Sequence, residues 1–193
     1  MEFLLSCWAA MDATQIAVLA LCAVLVGVNK SGVPALGTLP VVLLTLVFAS
    51  REDFSTGLQL LMLCAGDLLA VACYRSKANW KLVWRLLPSA LVGIALGTIA
   101  LEFIDAQLLR PTIGVVILFL SAVNFVHAHC LKSERIPSHW AFCAAAGITA
   151  GFTTQVANAA GPVMALYLLS MRLPPVEYMG TCAWYFLILN YIK

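Results

Sequence analysis

Apolar residues fill the chain in long blocks that are interrupted at two places by short polar stretches. Crossing about 30 Å of hydrocarbon requires roughly 20 helical residues. The blocks of about that length are 57–74, 86–105, 112–130 and a last one that begins at Glu177. The shorter apolar segments are 13–28, 35–49, 139–152 and 161–171. This pattern predicts an all-α integral membrane protein in which full helices stand beside pairs of shorter, broken ones.

The first polar stretch, GVNKSGVPALGTLP at residues 27–40, places Lys30 between two apolar segments. A lysine at membrane depth is unfavourable by about 2.5–3.5 kcal/mol on insertion scales, so it usually faces a cavity or a partner. Pro34 is typical of a first helical turn, so we expect a helix to start there and to direct free N–H groups into the break. Lys30 and that helix start would form an anion site. The alternative is that Lys30 extends to the membrane surface as an anchor.

The second polar stretch, GFTTQVANAAGP at residues 151–162, interrupts the apolar pattern in the same way. Its polar side chains and its expected helix start are Thr153, Thr154, Gln155, Asn158, Gly161 and Pro162. Irregular backbone at membrane depth persists only where it is buried in protein or lines a water-filled cavity. Two such breaks facing each other would enclose a small polar pocket.

The two halves of the chain align with a constant shift. Pro40 falls on Pro162 and Gly57 falls on Gly180, which gives a shift of 122 to 123 residues. Three full helices separate the two breaks, and because three is odd the halves must have opposite orientation. The sequence therefore predicts an inverted repeat of a broken-helix hairpin plus full helices, an architecture found in many secondary transporters.

The predicted first repeat covers residues 13–130 and the second covers residues 139–193. A second repeat as long as the first would extend well beyond Lys193. We therefore expect the second repeat to be truncated, with part of its helices missing.

The basic residues between the helices predict the orientation in the membrane. Of the residues in the chain, 63% are hydrophobic and 10% are charged. The basic residues assigned to one side are Arg75, Lys77, Lys81, Arg85, Lys132, Arg135 and Arg172, and those assigned to the other are Arg51, Arg110 and Lys193. The positive-inside rule then makes the loops 75–85 and 131–138 cytoplasmic in a multi-pass protein of the cell (inner) membrane.

Asp67 is a second charged residue in a predicted membrane helix, and the shift of 123 residues places Asn190 at the matching position. Asp67 has three candidate roles, namely a proton carrier, a counter-ion for Lys30 and a structural carboxyl bonded to a neighbouring helix. Asn190 is either its neutral counterpart or a residue that holds helices together. Both are candidates for proton coupling.

Other classes of function have little support. The seven cysteines are scattered without a C-x-x-C motif or a histidine partner, so we predict no metal site and no cofactor. The sequence has no basic stripe with interleaved aromatic residues, so we predict no nucleic acid as a partner. A membrane-embedded enzyme is disfavoured because no nucleophile and base motif is present. An anion channel is disfavoured because nothing suggests a ring of pore residues from several subunits.

Four motifs carry a resemblance to a known family. They are the N-K-S-G break at 29–32, the D-x-x-x-x-x-x-Y-R helix at 67–75, the W-x-x-x-x-x-x-x-P stretch at 80–88 and the N-A-A-G-P break at 158–162. From about residue 13 onward, the chain resembles the TauE/SafE family, the sulfite-exporter-like membrane transporters. The resemblance points to Asn29, Lys30, Ser31, Gly32, Asp67, Asn158, Gly161, Pro162 and Asn190.

The resemblance implies a helical transporter of sulfite, thiosulfate or an organosulfonate. We predict a secondary transporter, not an enzyme. It would bind a small anion between the two breaks and move it across the membrane by alternating access. The predicted substrate-binding residues are Asn29, Lys30, Ser31, Gly32, Thr153, Thr154, Gln155, Asn158 and Gly161. The expected partners are the anion and the lipid bilayer. A proton as the coupling ion and assembly into a homo-oligomer are two further options.

Overall fold

The computed structural model describes residues 11–32, 34–48, 52–104, 106–130 and 140–193. Every regular element in these residues is a helix, which confirms the predicted all-α fold. The α-helices are α1 (Ala13–Lys30), α2 (Leu39–Val47), α3 (Glu52–Tyr74), α4 (Trp80–Glu102), α5 (Ala106–Cys130), α6 (Trp140–Ala157), α7 (Gly161–Ser170) and α8 (Pro175–Ile192). Two short 3-10 helices, Pro34–Thr38 and Arg75–Lys77, precede α2 and follow α3.

The polarity of the protein is distributed as in a membrane protein. Within the described residues, the helical segments long and apolar enough to cross a membrane are Ala13–Lys30, Ser55–Lys77 and Trp80–Glu102. Large apolar side chains such as Leu69 and Leu118 are 70% and 71% exposed, whereas the carboxylate of Asp67 is fully buried. Apolar side chains on the outside suit contact with lipid, and polar groups inside suit contact with one another.

Glycines allow α4 and α6 to pack with their backbones in contact. Gly93 and Gly97 of α4 lie against α6, and Gly147 and Gly151 of α6 lie against α4. Each pair has the four-residue spacing that favours close packing of membrane helices. A Cβ added at Gly151 would lie 2.0 Å from the carbonyl oxygen of Ala90. This contact joins a helix of the predicted first repeat to the broken hairpin of the second. We call the surface formed by these four glycines the glycine seam.

Most of the apolar core is one cluster of buried side chains that includes residues of both helices of the glycine seam. Buried side chains from α2, α4, α5, α6, α7 and α8 form the main cluster, in which Tyr167 and Tyr185 are the largest. A smaller cluster joins α1 to α2 through Leu19, Cys22 and Leu44. The first broken hairpin therefore has an apolar contact of its own.

Helices α3 and α8 pack side by side in opposite directions. Near one end, Cys64 Sγ lies 3.7 Å from the carbonyl oxygen of Asn190, and near the other Gly180 lies against the backbone of Tyr74. The link between α3 and α4 is fastened to α8, because the backbone N–H of Asn79 donates to Thr181 Oγ1 at 2.9 Å. The middle of α3, which carries Asp67, is thereby held against the last turn of α8, which carries Asn190.

The first break differs in one respect from the sequence prediction. A 3-10 helix, Pro34–Thr38, occupies the place where an α-helix was expected to begin, and α2 starts only at Leu39. Pro40 has no N–H to extend an α-helical ladder backward, and proline is favoured in the first turn, so the α-helix begins next to it. The predicted cytoplasmic loop 131–138 lies outside the described residues.

Replacing Gly151 by alanine should lower the free energy of unfolding by about 1–3 kcal/mol, because the new methyl group meets a backbone carbonyl that cannot rotate away. Denaturation of the purified protein in detergent, followed by far-UV circular dichroism, measures this change. Gly114→Ala is the matched control, since no atom lies within 4 Å of the added Cβ. That variant should be unchanged or more stable by up to about 1 kcal/mol. Equal stability of the two variants would contradict the backbone contact.

Candidate functional site

One carboxylate joins three helices in the interior. Lys30, the last residue of α1, forms an ion pair with Asp67 Oδ1 of α3, and the two side chains are only 12% and 0% exposed. The other oxygen, Oδ2, accepts a hydrogen bond from Asn190 Nδ2 of α8 at 2.7 Å. These contacts agree with two of the roles considered for Asp67, a counter-ion and a structural carboxyl. Lys30 does not extend to the surface as an anchor.

Helix α8 presents an aromatic ring as well as an amide to this pair. The Nζ atom of Lys30 lies 4.7 Å from the centroid of the Phe186 ring, within the range of a cation–π interaction. Phe186 and Asn190 are four residues apart, so they share one face of the helix. Asn190 Oδ1 is buried and has no hydrogen-bond partner among the described residues. An acceptor is therefore left open next to the ion pair.

A second polar network holds the other break. Lys193 Nζ donates to the carbonyl oxygen of Thr154 at 2.9 Å and to Thr154 Oγ1 at 3.0 Å, and it also donates to Asn158 Oδ1. The Nδ2 group of Asn158 donates to Gln59 Oε1 of α3 at 3.3 Å and to the carbonyl oxygen of Thr56 at 3.4 Å. The end of α6 is thus bound to both α3 and α8.

The backbone at this break takes the form that its sequence favours. Asn158 has φ 51°, a left-handed conformation that asparagine adopts more readily than most residues at the end of a helix. The N–H of Ala159 donates to the carbonyl oxygen of Thr153 at 3.2 Å, which closes the last turn of α6. Helix α7 then starts at Gly161, as predicted, and the first N–H groups of a helix have no partner within it.

Two small cavities meet at Lys30, the basic member of the ion pair. Both are lined by Asn29, Lys30, Gly161 and Phe186. The link-side cavity, of about 40 Å³, extends toward the α3–α4 link and is also lined by Gly32, Ala70, Tyr178, Met179, Cys182 and Ala183. The break-side cavity, of about 30 Å³, extends the other way, and its further lining includes Thr38, Leu63, Thr154, Asn158 and Asn190.

The structure brings most of the predicted site residues together. Those that line one or both cavities are Asn29, Lys30, Gly32, Thr154, Asn158, Gly161 and Asn190, and Asp67 is bound to two of them. Three others lie outside both linings. Ser31 is exposed and donates to the carbonyl oxygen of Gly27, Thr153 donates to that of Thr149, and Gln155 packs against Gly97.

Sequence reasoning missed three residues of the site. Lys193 was counted as a charge in a loop, but it is partly buried in the second network. Without it, the predicted division of basic residues between the two sides of the membrane is seven to two rather than seven to three. Phe186 and Gln59 read as ordinary members of apolar helices. A usable signal existed, because Phe186 and Lys193 lie four residues before and three residues after Asn190 and so share its helix face.

The residues of this site suit an anion better than a metal ion. The polar side chains that line the cavities carry ammonium, amide and hydroxyl groups, and the start of α7 lines both cavities. Within the described part of the chain, no group of three or more histidine, cysteine, aspartate or glutamate side chains is placed to hold a metal. The only carboxylate described at the junction of the cavities, that of Asp67, is already paired.

These features define a membrane protein with a buried, positively charged polar site between broken helices. The sequence model of the family described as "Sulfite exporter TauE/SafE" matches residues 19–193. The chain therefore belongs to the TauE/SafE family and is a membrane anion transporter. The comparison with curated proteins and the comparison with solved structures give no match.

Asp67→Asn should lower the free energy of unfolding by about 3 kcal/mol or more, because it leaves the ammonium of Lys30 buried without an opposite charge. The double variant Lys30→Gln with Asp67→Asn should lose less than Asp67→Asn alone. Chemical denaturation in detergent compares both variants with the parent protein. Glu102→Gln at the exposed end of α4 is the matched carboxylate control and should be neutral. An Asp67→Asn variant as stable as this control would contradict a buried ion pair.

Proposed function

We propose that this protein is a secondary transporter of sulfite, thiosulfate or a small organosulfonate, with the anion bound at Lys30 between the two breaks. The observation that carries the proposal is the meeting of two cavities at Lys30 and Phe186. A site that can be reached in turn from two opposite cavities is what alternating access requires.

The residues around Lys30 provide the donors that an oxyanion needs. An ammonium group has three N–H donors, and the ion pair with Asp67 occupies one direction. The side chains of Asn29 and Thr38 and the start of α7 at Gly161 line the same break-side cavity. Helix N-termini and lysines together are a common anion site. The unpaired Asn190 Oδ1 is a place for a water molecule or for the proton of a protonated anion.

The positions of the cavities support a gate at Phe186. The link-side cavity touches Tyr178 and Met179 near the start of α8, whereas the break-side cavity touches Asn190 near its end. Phe186 lies between these positions and lines both cavities. The proposal places the link-side cavity toward the cytoplasm, in agreement with the exposed basic residues Arg75 and Lys77 next to it in the fold.

The inverted repeat of residues 13–130 and 139–193 is part of the proposal. Its support is that α3 and α8, which the shift makes equivalent, pack in opposite directions. Asp67 and Asn190 are 123 residues apart and bind each other directly. Equivalent residues that touch lie close to the axis relating the repeats, so this pair marks the axis. Alternating access would then move one repeat against the other around it.

Proton coupling through Asp67 is also proposed. A proton on Asp67 removes its charge and frees Lys30 for the anion, so that binding of the proton and binding of the anion favour each other. In proteoliposomes, an imposed pH gradient should stimulate anion transport by the parent protein but not by Asp67→Asn at the same level of insertion. Equal stimulation of both proteins would exclude Asp67 as the coupling residue.

Lys30→Gln tests the anion site directly. Loss of the charge should weaken binding of sulfite or methanesulfonate at least fivefold, or about 1 kcal/mol, as measured by titration calorimetry in detergent. Lys77→Gln, an exposed lysine in the α3–α4 link, is the matched control and should bind like the parent.

Counterflow of labelled anion in proteoliposomes tests the transporter mechanism, because a channel does not accumulate label against its own gradient. The parent and Lys77→Gln should show counterflow, and Lys30→Gln should show much less. Unchanged binding and counterflow in correctly inserted Lys30→Gln protein would exclude Lys30 from the site.

A further inference from the structure

Lys193, directly after α8, contacts the second break from outside the break-side cavity. It donates to Thr154 Oγ1 and to Asn158 Oδ1, and both of these residues line that cavity. We propose that Lys193 is a positioning residue of the anion site: it orients these two side chains and adds a second positive charge next to the cavity. This inference rests on the proposed function. It adds Lys193 as a residue that affects which substrate charge the site prefers.

The bond to Lys193 determines what the Thr154 hydroxyl offers the cavity. An ammonium group can only donate, so Thr154 Oγ1 must act as the acceptor at 3.0 Å. The single proton of the hydroxyl is not used in that bond. Thr154 is only 3% exposed, so this proton cannot simply be given to bulk water. An oxyanion in the break-side cavity is the acceptor that the arrangement suits.

The same argument fixes the amide of Asn158. Its oxygen must face Lys193, which turns the NH₂ group toward Gln59 Oε1 and the carbonyl oxygen of Thr56 on α3. The left-handed backbone of Asn158 is therefore held from two helices at once. Without Lys193 the amide could turn over and present its oxygen to α3 or to the cavity, where an anion would be repelled.

Lys30 and Lys193 differ in how their charges are balanced. Lys30 is paired with the carboxylate of Asp67. The three oxygens that Lys193 binds belong to a carbonyl, a hydroxyl and an amide, all of them neutral. The charge of Lys193 is thus offset less by its partners than that of Lys30. Coulomb energy is proportional to the charge of the ligand, so Lys193 should favour a dianion more than a monoanion.

Two probes with the same sulfur oxygens and different charges test this. Methanesulfonate carries one negative charge and sulfate carries two. Lys193→Gln should weaken methanesulfonate binding at least fivefold and sulfate binding by about the square of the same factor, roughly 25-fold, in titration calorimetry. Lys81→Gln, an exposed lysine at the start of α4, is the control and should leave both affinities unchanged. Lys193→Arg keeps the charge and should retain more of the sulfate affinity than Lys193→Gln.

A double-variant cycle tests the route through Thr154. If Lys193 acts through that hydroxyl, the effects of Lys193→Gln and Thr154→Val on anion affinity should be smaller together than their sum, whereas Lys193→Gln and Lys77→Gln should simply add. Thermal unfolding of each variant confirms that the compared proteins are folded. Fully additive effects of Lys193→Gln and Thr154→Val would overturn the positioning role.

The remaining outcomes separate this inference from the proposed function. If the parent protein binds neither anion, the anion site itself is wrong. If the parent binds and Lys30→Gln weakens binding, but Lys193→Gln binds like the parent, only the role of Lys193 is overturned. If Lys193→Gln weakens both anions by the same factor, its charge does not act on the ligand and the electrostatic part is overturned.

Discussion

The need to balance one buried ammonium group governs the arrangement of the helices around the site. Lys30 at membrane depth requires an opposite charge nearby, and Asp67 can meet it only if the end of α1 and the middle of α3 lie at the same depth. The second oxygen of the carboxylate then requires a donor, which Asn190 brings from α8. The positions of three helices in the membrane thus follow from one carboxylate.

Helix α8 connects this requirement to the second break. Phe186, Asn190 and Lys193 recur at the spacing of one helix face, and that face meets Lys30 and Asp67 at one level and the end of α6 at the next. A shift of α8 along its axis would therefore disturb both breaks together. The two broken hairpins contribute backbone and donors, while α8 holds them in register with the ion pair.

The fold was largely predictable from the sequence, but the detailed contacts were not. Hydropathy and helix length located the long helices, and Lys30 and Asp67 stood out because charges are rare in apolar segments. The start of α2 was misplaced because Pro34 is compatible with a 3-10 helix as well as with an α-helix, and local sequence does not separate the two. Lys193 was misassigned because a lysine after an apolar block resembles an interfacial residue, and only tertiary structure brings Thr154 to it.

The glycine seam between α4 and α6 affects how a mutational scan of this protein would be interpreted. At Gly93, Gly147 and Gly151, even a methyl group would overlap a neighbouring backbone or side-chain atom, so substitutions there should destabilise the fold whatever the new side chain is. These positions would score as high as Lys30 in such a scan although they touch no anion. Intolerance shared by alanine and by large side chains identifies the seam, whereas intolerance that depends on charge identifies the site. Sorting positions by the chemistry of the tolerated residue, rather than by the size of the effect, separates the two.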